Sequence, residues 1–182
     1  MRIDATPIAG VYQVSLDLIE DERGFFARTF DAEVIAAHGM ASQFPQCSVS
    51  FNRHKGTLRG LHYQAPPHME EKLVRCVRGA VFDVVVDLRH GSKTFGHWWG
   101  TELSDDNRLA LYIPKGCAHG FQTLRDTSEV FYQISVPYVA DAARGLAWDD
   151  VTLDIEWPNV IGAIASERDR NHPLLRDIQP LK

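Results

Sequence analysis

The sequence predicts an all-β fold, a sandwich or closed barrel of short antiparallel strands with short helices at its periphery. Three observations carry this. Short alternating segments recur along the whole chain. Turn signals separate them, among them Glu20 to Gly24, Pro66-Pro67, His90-Gly91-Ser92, Ser104 to Asn107 and Pro114-Lys115-Gly116. Helical patterning is confined to two brief stretches. No repeat, low-complexity tract or linker divides the 182 residues, so one domain over 1–182 is expected, long enough to bury a core.

The elements follow in order. Pro7 to Leu18 alternates weakly and reads as one or two strands. After the polar turn, Phe25 to Phe30 reads as a strand. Asp31 suits the N-cap of a short helix through Val34, Ile35 and Ala37, which Gly39 ends. Gln46 to Asn52 is polar but β-compatible. Gly56 to Gln64 is a strand whose strict alternation puts Leu58, Gly60, His62 and Gln64 on one side and Thr57, Arg59, Leu61 and Tyr63 on the other. Lys72 to Arg78 is a strand, punctuated by Gly79. Ala80 to Arg89 follows, with Phe82, Val84, Val86 and Leu88 facing one way and Asp83 and Asp87 the other. Strands are expected at Gly96 to Leu103, Leu109 to Ile113, His119 to Leu124 and Glu129 to Val136. Val151, Leu153, Ile155 and Trp157 alternate in a last strand before Pro158. Ser166 opens a short helix, cut off before Pro173.

Composition narrows the function. A net charge of -5 argues against nucleic acid or an anionic membrane as the main partner. No apolar run approaches a membrane span, and Met1-Arg2-Ile3-Asp4 does not open a signal peptide. Cys47, Cys76 and Cys117 are scattered and form neither a disulfide framework nor a cysteine zinc site. A reducing cytoplasm is the expected home.

Two histidines stand out. His62, mid-strand, reads either as a core imidazole satisfied by a neighbour or as a base or ligand aimed into a cavity. His119 ends Pro114-Lys115-Gly116-Cys117-Ala118-His119, which fits the second signature of the cupins, a jelly-roll family; its plainer reading is a turn histidine bonded to backbone. In the first cupin signature a glutamate and two histidines bind metal. Here Lys72 stands at the glutamate, His68 fits one histidine place and Pro66 occupies the other. An ammonium repels a dication, so the chain resembles a cupin without its metal, and no metal is expected.

A more specific resemblance rests on motifs that occur in order: Arg59-Gly60-Leu61-His62-Tyr63-Gln64, Lys72-Leu73-Val74-Arg75, Asp83 to Arg89, Pro114 to Phe121, Glu129-Val130-Phe131-Tyr132, Trp148-Asp149-Asp150, Ile155-Glu156-Trp157-Pro158 and Arg168-Asp169. Over residues 3–175 the chain is similar to the dTDP-4-dehydrorhamnose 3,5-epimerase family. The resemblance implies an antiparallel jelly-roll (cupin-like) barrel and no cofactor. The implied substrate is a nucleoside-diphosphate 4-keto-6-deoxyhexose, of the dTDP-4-dehydro-6-deoxyglucose type. It would lose the proton at C3, C5 or both and regain it on the other face. The resemblance further implies a homodimer exchanging N-terminal strands, with Ile8 to Leu18 as a candidate arm over a sheet edge.

The residues suit that chemistry. Deprotonating carbon beside a ketone needs a base, a group to hold the enolate oxygen, and an acid on the opposite face. By resemblance His62 is the base, oriented by Asp169; Lys72 holds the oxyanion and Tyr132 is the acid. Each has a plainer alternative: Asp169 lies three residues after Ser166 in a capping pattern, Lys72 as an exposed strand lysine, Tyr132 as a core tyrosine. For binding, Arg23 and Arg59 match positions that hold the diphosphate, His119 one beside the sugar and Tyr138 one that stacks on the substrate. Arg168 replaces a lysine. Gln46, Cys47 and Ser48 stand where the family has Gln-Asp-Asn. Arg28 and Ala143 replace glutamates. Arg28 has only donors and cannot accept a hydrogen bond from a thymine N–H, so weaker selectivity for the thymine base is expected. Two other classes stay open: a metal-dependent cupin oxygenase or isomerase, and a non-catalytic sugar-nucleotide binding barrel.

Overall fold

In the computed structural model, which describes residues 1–182, the chain forms thirteen strands and two short α-helices. The strands are β1 (Arg2–Ala5), β2 (Tyr12–Ser15), β3 (Ile19–Asp21), β4 (Gly24–Phe26), β5 (Gln46–Asn52), β6 (Leu58–Gln64), β7 (Lys72–Arg78), β8 (Ala80–Asp87), β9 (Trp98–Ser104), β10 (Ala110–Ile113), β11 (Cys117–Thr123), β12 (Ser128–Ile134) and β13 (Ala143–Gly145). The helices are α1 (Ala32–Ala37) and α2 (Glu167–Arg170). A six-stranded sheet runs β1-β2-β10-β7-β12-β5 and a five-stranded sheet β13-β6-β11-β8-β9, antiparallel throughout. This is the expected all-β jelly-roll architecture, built as two facing sheets that no ladder closes into a ring.

Three apolar layers explain why β8 is buried on both faces. Between the sheets, Val74, Cys76, Leu111, Ile113 and Val130 of one meet Val81, Val85, Leu103 and Phe121 of the other. Behind the five-stranded sheet, Val84, Val86, Leu58 and Leu61 are covered by Leu146, Trp148, Leu153, Ile155 and Trp157. Behind the six-stranded sheet, Val14, Leu73 and Ala110 pack on Ile35 of α1 and Met40. Fully burying each such side chain contributes about 1.5–3 kcal/mol. Asp31 caps α1 as expected, accepting from the amides of Glu33 and Val34.

Several expectations need correction. Ile8 to Leu18 is not a free arm: β2 pairs with both β1 and β10, and Ile8, Val11 and Val14 are core residues. The projecting element is the β3–β4 hairpin, which joins neither sheet and takes in only the start of the expected Phe25 to Phe30 strand. Val151 to Trp157 forms no strand. Leu153, Ile155 and Trp157 are buried, yet Val151 is exposed, and Asp154 sits at φ 49°, which breaks the extended run. The alternation there records a chain laid over a sheet, not a member of one. The short edge strand β13 carried too little pattern to be read.

The expected faces of β6 are also wrong in phase. On β11, His119 pairs with His62 and Phe121 with Arg59, so two steps on β11 match three on β6. This bulge adds a residue at Gly60-Leu61 and reverses the alternation beyond it. Leu58 and Leu61 therefore face the outer core, while Arg59 and His62 turn together toward the inter-sheet space. Gly60 permits it: its φ is +134°, and a Cβ there would lie 2.5 Å from the Gly120 Cα. Gly60→Ala is expected to destabilise the fold by about 2–4 kcal/mol, through left-handed strain and a backbone clash with no flexible partner. Urea denaturation checks this; a midpoint equal to that of the unmodified protein would refute it.

Candidate active site

At one end of the inter-sheet space the apolar core gives way to a polar cavity of about 370 Å³. The five-stranded sheet contributes Arg59 and His62 from β6 and His119 from β11. The six-stranded sheet contributes Ser48 from β5, Lys72 from β7 and Tyr132 from β12. Tyr138, Ala143, Arg144 and Arg168 border the mouth.

His62 Nε2 lies 2.6 Å from Asp169 Oδ1, with the carboxylate almost fully buried and the imidazole half-open to the cavity. Asp169 comes from α2, where Ser166 Oγ accepts from its amide. The capping and functional readings of the Ser-x-x-Asp pattern are therefore both realised: the cap fixes the turn that delivers the carboxylate. Burial alone would raise the Asp169 carboxyl, but the His62 hydrogen bond and charge, with Ser166 and His172, hold it below the usual carboxylate range. With Nε2 committed to Asp169, Nδ1 is the nitrogen left to take a proton.

Lys72 Nζ is 2.9 Å from Glu70 Oε1, both side chains being largely but not fully buried, and donates to the His62 carbonyl at 3.5 Å. This ammonium thus ties the two sheets together at the cavity. The Tyr132 phenol is pushed far up, first by burial and then by the nearby Asp83 carboxylate, so it keeps its proton at neutral pH. Its ring meets that of His119 edge-on at 6.1 Å. His119 is fixed in turn by Asp83, whose two oxygens lie 2.9 and 3.0 Å from its Nε2. His119 is therefore a buried, carboxylate-bound histidine, not a turn residue.

Arg59 donates from Nε to Asn52 at 2.8 Å and leaves its outer nitrogens toward the cavity. Gln46 does not line the cavity; its Oε1 accepts from the Tyr138 backbone amide at 2.7 Å and holds the backbone there. Cys47 is exposed, and His68 lies outside. Arg23 and Arg28 are not brought in by this chain. Arg23 pairs with Asp21 on the β3–β4 hairpin, and Arg28 with the capping Asp31 at 2.7 Å. Sequence reasoning missed Asp83, Glu70, Asn52 and His172. Two had a readable signal: Asp83 alternated away from the outer core of β8, and Glu70 lies two residues before Lys72. Asn52 and His172 gave none, because their partners are brought up by the fold.

A jelly-roll with a cavity that holds a carboxylate-oriented imidazole, an ammonium and a protonated phenol, under a rim of arginines, defines a class: acid–base enzymes acting on an anionic ligand. The comparisons with known proteins agree. Residues 5–177 match the model of the dTDP-4-dehydrorhamnose 3,5-epimerase family. The dTDP-4-dehydrorhamnose 3,5-epimerase of Shigella flexneri is 44% identical over 94% of each chain. That of Elizabethkingia anophelis superposes with a TM-score of 0.93 at 37% identity, covering 97% of both chains. A Legionella pneumophila dTDP-6-deoxy-D-glucose-3,5-epimerase in complex with dTDP-4-keto-L-rhamnose has a TM-score of 0.92 at 37% identity, covering 98% of this chain and 94% of its own. The chain belongs to the dTDP-4-dehydrorhamnose 3,5-epimerase family, within the isomerase class of enzymes.

The geometry predicts the tautomer of His62. In protein with ¹⁵N-labelled histidine, Nε2 of neutral His62 is expected to carry the proton, and Asp169→Ala is expected to abolish that preference. Equal populations of both tautomers in the unmodified protein would refute the pairing.

Proposed function

We propose that this protein, as a single domain over its 182 residues, epimerises a nucleoside-diphosphate 4-keto-6-deoxyhexose at C3 and C5. The observation that carries the reading is that candidate base and candidate acid come from opposite sheets and line one cavity. A planar enolate held between them is deprotonated on one face and reprotonated on the other. His62 Nδ1 takes the carbon-bound proton, and Asp169 stabilises the imidazolium that results. Lys72 Nζ, already desolvated, holds the enolate oxygen. Tyr132 gives its proton to the far face. Arg59 and Arg168 bind the diphosphate through guanidinium forks. Tyr138 stacks on the substrate, while Ser48 and His119 contact it. The metal-dependent and binding-only alternatives are disfavoured: Lys72 occupies the ligand place, and binding alone calls for no base opposite an acid.

A homodimer completes this picture. Ile19 and Phe26 of the β3–β4 hairpin are each 69% exposed, and Val49 and Phe51 are exposed on the edge strand β5. Apolar groups on a projecting hairpin and an open edge fit burial against a second copy. Arg23 sits in the turn of that hairpin and Arg28 just beyond it, so in a dimer they would serve the partner's cavity. Because Arg28 offers only donors, the thymine base is held without the acceptor a glutamate would supply. No helix is long and apolar enough to cross a membrane, which fits the cytoplasmic location we assign.

Solvent-deuterium exchange into a 4-keto sugar nucleotide, read by NMR at C3 and C5, tests the reaction. His62→Ala is expected to abolish exchange at both centres. Tyr132→Phe is expected to lower inversion by about 10² to 10⁴ while exchange with retention survives better. Inversion at the unmodified rate in Tyr132→Phe would transfer the acid role elsewhere. Light scattering at micromolar concentration is expected to give twice the 20.5 kDa chain mass; a monomer would remove the dimer.

A further inference from the structure

Asp169 has a second histidine beside it. His172 Nε2 lies 3.5 Å from the same Oδ1 that pairs with His62, and its side chain is 10% exposed. That nitrogen is buried and makes no hydrogen bond. Its ring meets the His62 ring edge-on at 5.7 Å. The donor atoms of His62, Asp169 and His172 all lie within 4.8 Å of one another. Room for the ring is built in: a Cβ on Gly145 would lie 2.2 Å from His172 Nε2, so only glycine lets the imidazole approach.

A buried imidazole nitrogen facing a carboxylate without a hydrogen bond is an unsatisfied arrangement. We propose that His62, Asp169 and His172 form a binding site for a divalent transition-metal ion of the zinc type, and that its occupancy switches the enzyme off. Two imidazoles and one carboxylate suit zinc, copper or nickel. A tetrahedral zinc spaces its ligand atoms about 3.3 Å apart; here the Asp169 oxygen lies 2.6 and 3.5 Å from the two imidazole nitrogens, all three atoms lie within 4.8 Å of one another, and small side-chain shifts bring them to that spacing. The charged and titratable groups facing His172 are Asp169 and Arg168 from the α2 turn, His62 and Tyr63 from β6 and Arg144 from β13. The two arginines disfavour a hard cation held by charge alone and leave nitrogen ligation as the source of affinity. A second cavity of about 510 Å³, lined by Gly145, Asn171, His172 and Pro173, adjoins the substrate cavity along Tyr63, Ala143, Arg144 and Arg168 and opens onto His172.

The consequence follows from imidazole chemistry. A metal on His62 Nε2 displaces the proton shared with Asp169 and leaves the ring proton on Nδ1. Neither nitrogen can then accept a proton from carbon. The substrate cavity stays open, so kcat falls while KM does not rise. This inhibition rests on the proposed function; the binding does not.

Calorimetric titration of the full chain with zinc is expected to show a site that His172→Asn weakens at least tenfold. Zinc should also shift the ¹⁵N resonances of both His62 and His172 in the unmodified protein, a measurement that stands even if the variant fails to fold. In the deuterium-exchange assay, zinc should lower kcat at constant KM, and a chelator should restore it. No binding, binding unchanged in His172→Asn, or shifts confined to other histidines would overturn the proposal. So would zinc raising KM alone, which would place the ion in the substrate cavity. If the metal-free protein lacks epimerase activity while zinc binds as described, the proposed function fails and the metal site stands.

Discussion

The close approach of Gly60 to Gly120 is the constraint on which the site depends. Without the extra residue in β6, strict alternation would send His62 to the same side as Leu58, into the apolar layer behind the five-stranded sheet. The bulge changes the phase once, so Leu58, Leu61 and Tyr63 still pack outward while Arg59 and His62 both reach the cavity. Two glycines facing each other are needed because the backbones nearly touch there. A local irregularity in one ladder thus gives the sheet its cavity-lining face at no loss to its core.

The second organising feature is that each buried charge at the polar end of the sandwich has a counterpart. Asp83 holds His119, Glu70 holds Lys72, and Asp169 holds His62. An unpaired charge in such a place would cost several kcal/mol, so the pairs are what allow a charged cavity to adjoin an apolar core. The same pairing does chemical work. Burial, reinforced by the Asp83 carboxylate, raises the Tyr132 phenol, Asp83 locks the His119 ring beside it, and Asp169 commits one nitrogen of His62 and frees the other. Structural compensation and the proposed acid–base assignment here are one set of contacts.

The C-terminal segment links the two features. From Leu146 to Trp157 it covers the outer face of the five-stranded sheet, and Trp157 Nε1 donates to the Trp148 carbonyl. Having crossed, it turns at Ser166 and delivers Asp169 to His62. The carboxylate is supplied by a four-residue helix whose own stability is negligible. Its position is held by the Ser166 cap, by the buried His172 ring against Gly145, and by the segment that anchors it.

The sequence by itself determined the class of fold and most of the cavity. Alternation at β7, β8, β10, β11 and β12, with Gly79 and Pro114-Lys115-Gly116 as breaks, is local information, because a strand's faces differ by one residue whatever it pairs with. His62, Lys72, Tyr132 and Asp169 were legible through the family's motifs. What tertiary structure decided was everything that needs two strands or more. The phase reversal in β6 comes from pairing with β11. The role of Asp83 depends on which residue of β11 lies opposite. The fate of Val151 to Trp157 rests on whether a neighbour offers a ladder, and there a buried alternation formed no strand because no partner did. The hairpin at residues 19–26, and not Ile8 to Leu18, is left projecting because β2 found β10. His172 had no signal in the sequence at all, since its meaning lies in sharing a carboxylate with a histidine 110 positions away, and only the folded chain makes them neighbours.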